Sequence, residues 1–378
     1  MVTLRYFLVI YIPAVYILNC RDYSNMVTLR YTLYGGRFYM ASLKDIAKRA
    51  ELSINTVSRA LRGSGYVSEN ASRKVMRIAA ELGYRPNRAA RSLRFSKNYE
   101  IAVISFIGEN RSSGDQLMME KFVGIKRRLS ASGFEMNLHF LDIDSACEPA
   151  NLKLLEDISG QNPAGIIIIG DGELYKSIYR LMEAKQTPAV LISYDVIPEM
   201  DCVYIDRLQG VRDAVHYLSK KGLGKIAFAG FSGICCNRIR GYRKAVKELK
   251  LQEIIFSESG YLGSDLERIF DMAVAMSKNI AGAKIRPDAV IAYSDYLASG
   301  LIAGFRECGV KVPEEIAVIG FDNRELAAFT SPGLTTIAQP NFKAGELAAE
   351  MLLAKIIKPG ERANAVGVPM NLKIRSST

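Results

Sequence analysis

Histidine is scarce in this chain: only His139 and His216 occur in 378 residues. The first lies in an apolar run and the second on an amphipathic stretch, so both read as structural and neither as a general base. The six cysteines lack metal-ligand spacing, and Cys235 and Cys236 are adjacent, which suits neither an ordinary disulfide nor a zinc site. That usage fits a reducing cytoplasm. The stretch Gly222-Leu223-Gly224-Lys225 precedes a strand-like run instead of following one, so it is neither a dinucleotide fingerprint nor a phosphate loop. Residues 6–18 (YFLVIYIPAVYIL) are apolar but too short to span a bilayer, and Pro13 interrupts them. No catalytic constellation, metal site or cofactor is expected.

What is present is a concentrated positive charge. Between residues 40 and 99 stand 13 Lys and Arg against four acids, so this segment carries +9 of the chain's net +11. Residues 1–39 carry +3, and the rest of the chain is close to neutral. A compact basic module on a near-neutral body is the electrostatic footprint of a nucleic-acid binder.

The basic segment resolves into three short helices. Ser42 caps the first, Asp45 completes a capping box, and Leu43, Ile46, Ala47 and Ala50 form one apolar face. After a break at Glu51-Leu52, Ser53 caps a second helix that buries Val57, Ala60 and Leu61 and ends at Gly63 and Gly65. Ser68 opens a third, with Ala71, Val75, Ile78, Ala79 and Leu82 inward, and Gly83 stops it. Such a pattern makes a helix-turn-helix whose second helix enters the major groove. Small helical bundles without DNA share the periodicity; the open face of helix two distinguishes this one. Asn55 and Arg59 lie four apart and project side by side, and these residue types read adenine and guanine edges. Ser53, Thr56 and Ser58 are short hydroxyls suited to phosphate oxygens.

Beyond residue 100, β-branched apolar runs at 101–107, 165–169, 189–194, 226–231, 289–293 and 316–321 alternate with amphipathic helical segments such as 118–130, 211–220 and 297–308. Runs polar on neither face are how buried parallel strands read, and repeated strand-helix units imply doubly wound sheets. Some 280 residues of this kind exceed one comfortable core, so two lobes are expected.

At this level the sequence resembles the LacI/GalR family of bacterial transcription regulators. LKDIAKRA-x-LS-x-x-TVSRAL, then LGYRPN-x-x-ARSL, match its headpiece densely over about sixty residues. The likeness continues more loosely through VYIDRLQG (203–210), RIRGY (238–242), AYSD (292–295), KVPEEIAVIGFDN (311–323) and LTTIAQP (334–340). The resemblance implies an all-α headpiece (40–83), a hinge helix and linker (84–99), and two parallel-sheet lobes of the periplasmic-binding-protein type I. One lobe would hold 100–204 with 341–366 and the other 205–340 with 367–378, the chain crossing near Ile205, Pro340 and Gly367. Ile54, Asn55 and Arg59 would read bases; Ser42, Ser53, Thr56, Ser58, Asn87 and Arg91 complete the DNA-binding set, and Leu93 would wedge into the minor groove, where an apolar side chain unstacks a step and bends the duplex. Glu51 departs from the usual Gly or Asn at the turn; a left-handed Glu costs about 1–2 kcal/mol.

For the cleft between the lobes, the resemblance points to Arg238 and Asp322 as effector ligands, with Ser193 and Ser294 at matching positions. Asp295 reads as a helix cap or an interlobe contact. Two departures obscure the effector: the loop 108–119 lacks the family's stacking aromatics, and Ser193 and Arg207 replace its usual Asp and Asn. The expected protein is an operator-binding homodimer, a repressor answering to a small polar effector such as a sugar. The competing reading is an exported or membrane-tethered solute-binding protein with the same cleft, for which a +9 headpiece has no use. Residues 1–39, with MVTLRY repeated at 1–6 and 26–31, read as upstream sequence ahead of a start at Met40; the alternative is an extension that attaches the protein to a membrane. The tail after Leu372 has no heptads to support a tetramer.

Overall fold

The computed structural model describes residues 42–62, 67–82, 99–107, 115–142, 149–170, 173–197, 199–232, 237–259, 265–358 and 363–378. The expectations for residues 1–39, for Gly63, Gly65 and Gly83, for the hinge with Asn87, Arg91 and Leu93, and for most of the loop 108–119 fall outside them. The described residues form two compact units.

The first unit holds α1 (Leu43–Ala50), α2 (Ile54–Arg62) and α3 (Glu69–Glu81) around Ile46, Ala50, Val57, Val75 and Ile78. Ser42 caps α1 in a full capping box: its hydroxyl accepts the Asp45 N–H while Asp45 accepts the Ser42 N–H. Glu51 is left-handed at φ 57, and backbone N–H groups of Glu51 and Leu52 both reach the Ala47 oxygen. This closure of the α1 carbonyls offsets the steric cost of a Cβ there. Ser53 accepts the Thr56 N–H at 3.0 Å and starts α2 directly after the turn. Arg49 and Glu81, 2.8 Å apart, tie α1 to α3 at the surface.

The second unit runs, in chain order, β1 (Glu100–Ile107), α4 (Gln116–Ala131), β2 (Glu135–Asp142), α5 (Pro149–Gly160), β3 (Gly165–Ile169), α6 (Glu173–Ala184), β4 (Ala189–Ser193), β5 (Cys202–Asp206), α7 (Arg207–Lys220), β6 (Ile226–Ser232), α8 (Asn237–Glu248), β7 (Ile254–Ser259), α9 (Leu266–Ala281), β8 (Ala289–Ala292), α10 (Asp295–Glu307), β9 (Ala317–Asp322), α11 (Leu326–Phe329), β10 (Thr335–Ala338), α12 (Asn341–Ile357), β11 (Ala365–Pro369) and β12 (Asn371–Lys373). Two six-stranded sheets result, ordered β11-β5-β4-β3-β1-β2 and β12-β10-β9-β8-β6-β7. Every pairing is parallel except β10 with β12. Central strands such as GIIII and AVIGFD are buried along their whole length, which is what helices on both faces of a parallel sheet produce.

Two crossings fall slightly later than expected. β5 pairs with β4 as far as Tyr204 and with β11 as far as Asp206, and β11 pairs with β5 as far as Pro369, so 205–206 and 367–369 belong to the first sheet. Ladder hydrogen bonds fix the last rung of a crossing strand, and the apolar pattern does not show it. In the first lobe α4 and α12 cross at glycines: a Cβ on Gly124 would lie 2.1 Å from the Phe342 oxygen, and one on Gly345 would lie 2.3 Å from the Lys121 oxygen. That approach seats the middle of α4, including Lys121, against α12.

Candidate nucleic-acid interface and interlobe cleft

In the first unit α2 buries Val57 and Ala60 and presents Ile54, Asn55 and Arg59 to solvent. Ile54 is 37% exposed, an apolar side chain on an otherwise polar face. Ser42 and Ser53 are occupied as helix caps, and the Thr56 hydroxyl lies 2.8 Å from that of Ser53. Thr56 and Ser58 are partly exposed beside Asn55 and Arg59.

In the second unit the carboxyl ends of the two sheets face one another, and a connected polar cluster fills the junction. Arg238, at the start of α8, is buried between the rings of Tyr293 and Phe321, 4.1 and 4.2 Å from their centres. It donates to the Asp322 carboxylate at 3.3 Å. Asp322 ends β9 with φ 109, a region Asp tolerates better than most residues, and also accepts from the Gln339 amide. The Gln339 oxygen in turn accepts from Arg207 Nε and Nη2, each at 3.3 Å. Arg207 stacks 3.3 Å above the Tyr194 ring, which comes from the first lobe. Arg324 crosses the junction to Asp115 at 3.0 Å, and the Glu325 N–H reaches the Gln116 side chain at 3.2 Å. Asn237 donates to the Tyr194 backbone oxygen.

The charges act on one another here. Burial works to raise the Asp115 carboxyl, yet the hydrogen bond and charge of Arg324 outweigh it and hold the group below its ordinary value. Burial works likewise to raise the Tyr194 phenol, but the Lys121 and Arg207 cations bring it below the usual tyrosine range. Arg207 is lowered by burial and then by the neighbouring Arg238.

Of the four sequence-derived effector positions, the structure brings Arg238 and Asp322 into direct contact. Ser193 is fully buried at the end of β4 and donates to the Asp195 backbone oxygen. Ser294 caps α10, accepting the Leu297 N–H at 3.3 Å. The cap therefore belongs to Ser294 and not to Asp295, because the hydroxyl one residue before the helix meets the free N–H groups first. Among the described residues Asp295 makes no interlobe hydrogen bond either: it accepts from the Arg324 N–H and the Thr336 hydroxyl within its own lobe. Tyr194, Gln339, Arg324 and Lys121 were not singled out by sequence. Lys121 left a signal in its spacing, since it stands between Leu117 and Ile125 on the buried stripe of α4.

Burial, followed by the charge of Asp322, pushes Asp295 up from its ordinary 3.8 to about 7. An acid with a raised folded-state pKa holds its proton more tightly when folded. Stability from this group is therefore complete below pH 4, falls as pH rises from there to about 7, and stays low above. Asp295→Asn should flatten that fall, which amounts to at most about 4 kcal/mol. Thermal midpoints of both proteins between acid and mildly alkaline pH check this; parallel declines would refute it.

A three-helix DNA-binding unit, followed in sequence by two parallel-sheet lobes meeting at a polar cleft, defines a class: the DNA-binding transcription regulators. Residues 42–87 match the model for bacterial regulatory proteins of the lacI family, and 215–378 match a periplasmic binding protein-like domain. The chain is 32% identical over 314 residues to the HTH-type transcriptional regulator DegA of Bacillus subtilis, covering 80% of this chain and 88% of that one. It is 28% identical to the ribose operon repressor of Haemophilus influenzae, over 89% of this chain and 98% of the relative. Among solved structures it is similar to the Lac repressor dimer bound to operator and the anti-inducer ONPF, with TM-score 0.71, 23% identity, and coverage of 90% and 99%. The chain belongs to the LacI family of bacterial regulatory proteins. Among the described residues no helix is long and apolar enough to cross a membrane.

Proposed function

We propose that this regulator is a cytoplasmic repressor that binds a near-palindromic operator as a homodimer and answers to a small polar effector held between its lobes. Ile54, Asn55 and Arg59 read bases. Ser42, Ser53, Thr56, Ser58, Asn87 and Arg91 position the backbone, and Leu93 wedges the minor groove. Headpiece, hinge and lobes divide as the sequence indicates, with the crossings at the ends of β5 and β11. The observation that carries the effector reading is the junction cluster, in which Arg238 and Asp322 connect through Gln339 to Arg207 and thence to Tyr194 of the opposite lobe. A polar ligand entering that network exchanges hydrogen bonds with both lobes at once. It can shift operator affinity only by favouring one lobe arrangement, typically by about 1–3 kcal/mol. A sugar or sugar derivative suits this cluster of donors and acceptors. Relatives point the same way: one is named a ribose operon repressor, and a LacI family regulator from Enterococcus faecium was solved with bound ribose.

The test is titration of a duplex selected from a random pool, with and without sugars, sugar acids and sugar phosphates. Sequence preference and an effector-induced change of about 5- to 150-fold in affinity are expected. Binding without preference would overturn the regulator reading, and affinity indifferent to the whole panel would overturn the effector reading.

A further inference from the structure

Two cations at the lobe junction form no ion pair with a carboxylate among the described residues, and both lie against Tyr194. Lys121, on α4 of the first lobe, is 1% exposed. Its Nζ donates to the Leu117 backbone oxygen at 3.2 Å and sits 5.7 Å from the centre of the Tyr194 ring. Arg207, at the start of α7 in the second lobe, lies on the same ring and donates to the neutral Gln339. The other cations of the junction are matched, Arg238 by Asp322 and Arg324 by Asp115. Among the described residues, two of the four junction cations therefore have no ion-paired carboxylate. Amide oxygens and an aromatic face solvate an ammonium or guanidinium far less well than water does, so this placement is costly on its own. Nothing about packing requires it, since an apolar side chain would fill the α4 stripe between Leu117 and Ile125 more cheaply.

We infer that the effector is an anion, a polyol carrying a carboxylate or phosphate, whose charge is taken up by Lys121 from one lobe and Arg207 from the other. The inference rests on the effector reading above and narrows its chemistry. Tyr194 and Arg207 are partly exposed, so the Arg207 side of the pair is reachable from solvent, while Lys121 is buried. An ammonium has three protons and Leu117 takes one, leaving donors for a ligand oxygen. The polyol hydroxyls face the Arg238, Asp322 and Gln339 groups of the adjoining network. Because the two cations belong to different lobes and repel each other, an anion between them favours the closed arrangement specifically. A neutral sugar has no such preference at this position. The same pair of cations raises the local concentration of anions and makes binding sensitive to salt.

Calorimetric titration of the full chain with ribose, ribose 5-phosphate and gluconate tests this. At least one anion should bind about tenfold or more tighter than ribose, and added salt should weaken it. The responding arm identifies phosphate or carboxylate. Lys121→Met should erase the anion's advantage while leaving the weaker binding of ribose in place, and Arg207→Gln should erase the same advantage, with unfolding midpoints confirming that each variant is folded. The comparison of ligands on the unaltered chain stands even if one variant does not fold. Ribose binding as tightly as both anions, or variants retaining the anion's advantage, would overturn the inference and leave the effector reading intact. Binding of none of the three, together with indifference to the wider panel of sugars, sugar acids and sugar phosphates, would overturn both.

Discussion

Alanine at Arg238 is expected to destabilise the second lobe by about 3–5 kcal/mol, the range for removing one partner of a buried ion pair. Both members are almost fully buried, so the Asp322 carboxylate would lose its nearest countercharge in a poorly solvated place. The guanidinium also fills the gap between Tyr293 and Phe321, and its removal opens a void in the junction. Arg324 Nε, 3.7 Å from Asp322, moderates the loss without replacing the hydrogen bond. The unfolding midpoint should fall by roughly 10 °C. A paired variant, Arg238→Met with Asp322→Asn, should recover part of this, because the orphaned charge is gone and Asn also tolerates the positive φ of that position. Thermal unfolding of the three proteins decides the matter. A wild-type midpoint for Arg238→Ala would mean the pair is not the electrostatic centre of this lobe. The size of the effect also means that lost effector response in Arg238→Ala cannot by itself identify a ligand contact, so Lys121 and Arg207 are the better probes of binding.

What could be read from sequence tracks how one-sided each signal was. Headpiece helices were legible because caps, apolar faces and a turn all agreed, and Ser42, Asp45, Ser53 and Ser68 cap where expected. Core strands were legible as unbroken β-branched runs. The strands missing from that reading depart from this pattern. Edge strand β2 alternates Met136, Leu138 and Phe140 with Asn137 and His139, and edge strand β7 ends in polar Ser-Glu-Ser; each has only one neighbouring strand. β10 opens with Thr335 and Thr336, which look like turn residues but are buried because the Ser377 hydroxyl, the Asn323 N–H and Asp295 satisfy their polar groups.

The cleft was half legible for a related reason. Arg238 and Asp322 stand in short motifs that mark strand ends. Lys121 is one charge inside an amphipathic helix, where long basic side chains usually point to water. Gln339 stands in the LTTIAQP stretch and Tyr194 at the end of an apolar run, and only the approach of the two sheets gives them a shared role. A pairwise network across 132 residues of separation, such as Arg207 with Gln339, is a product of topology.

Arg59→Ala and Asn55→Ala are each expected to weaken binding to the selected operator by about 1–3 kcal/mol, or roughly 5- to 150-fold, with little change on unrelated duplex. The two side chains stand one helical turn apart on the exposed face of α2, opposite Val57 and Ala60, so truncating them leaves the core of the first unit alone. Arg59 is charged, so its loss should also flatten the dependence of affinity on salt slightly. Asn55 is neutral, so its loss should leave that slope unchanged. Lys44→Ala supplies the contrast: an exposed basic residue on α1 that touches only phosphate would lower affinity for every sequence alike and reduce the slope by about one. Anisotropy titrations at several salt concentrations, on the selected site and on a scrambled one, separate the three patterns. If Arg59→Ala and Asn55→Ala reduced affinity for both duplexes equally, α2 would be an electrostatic anchor and the sequence would be read elsewhere in the headpiece.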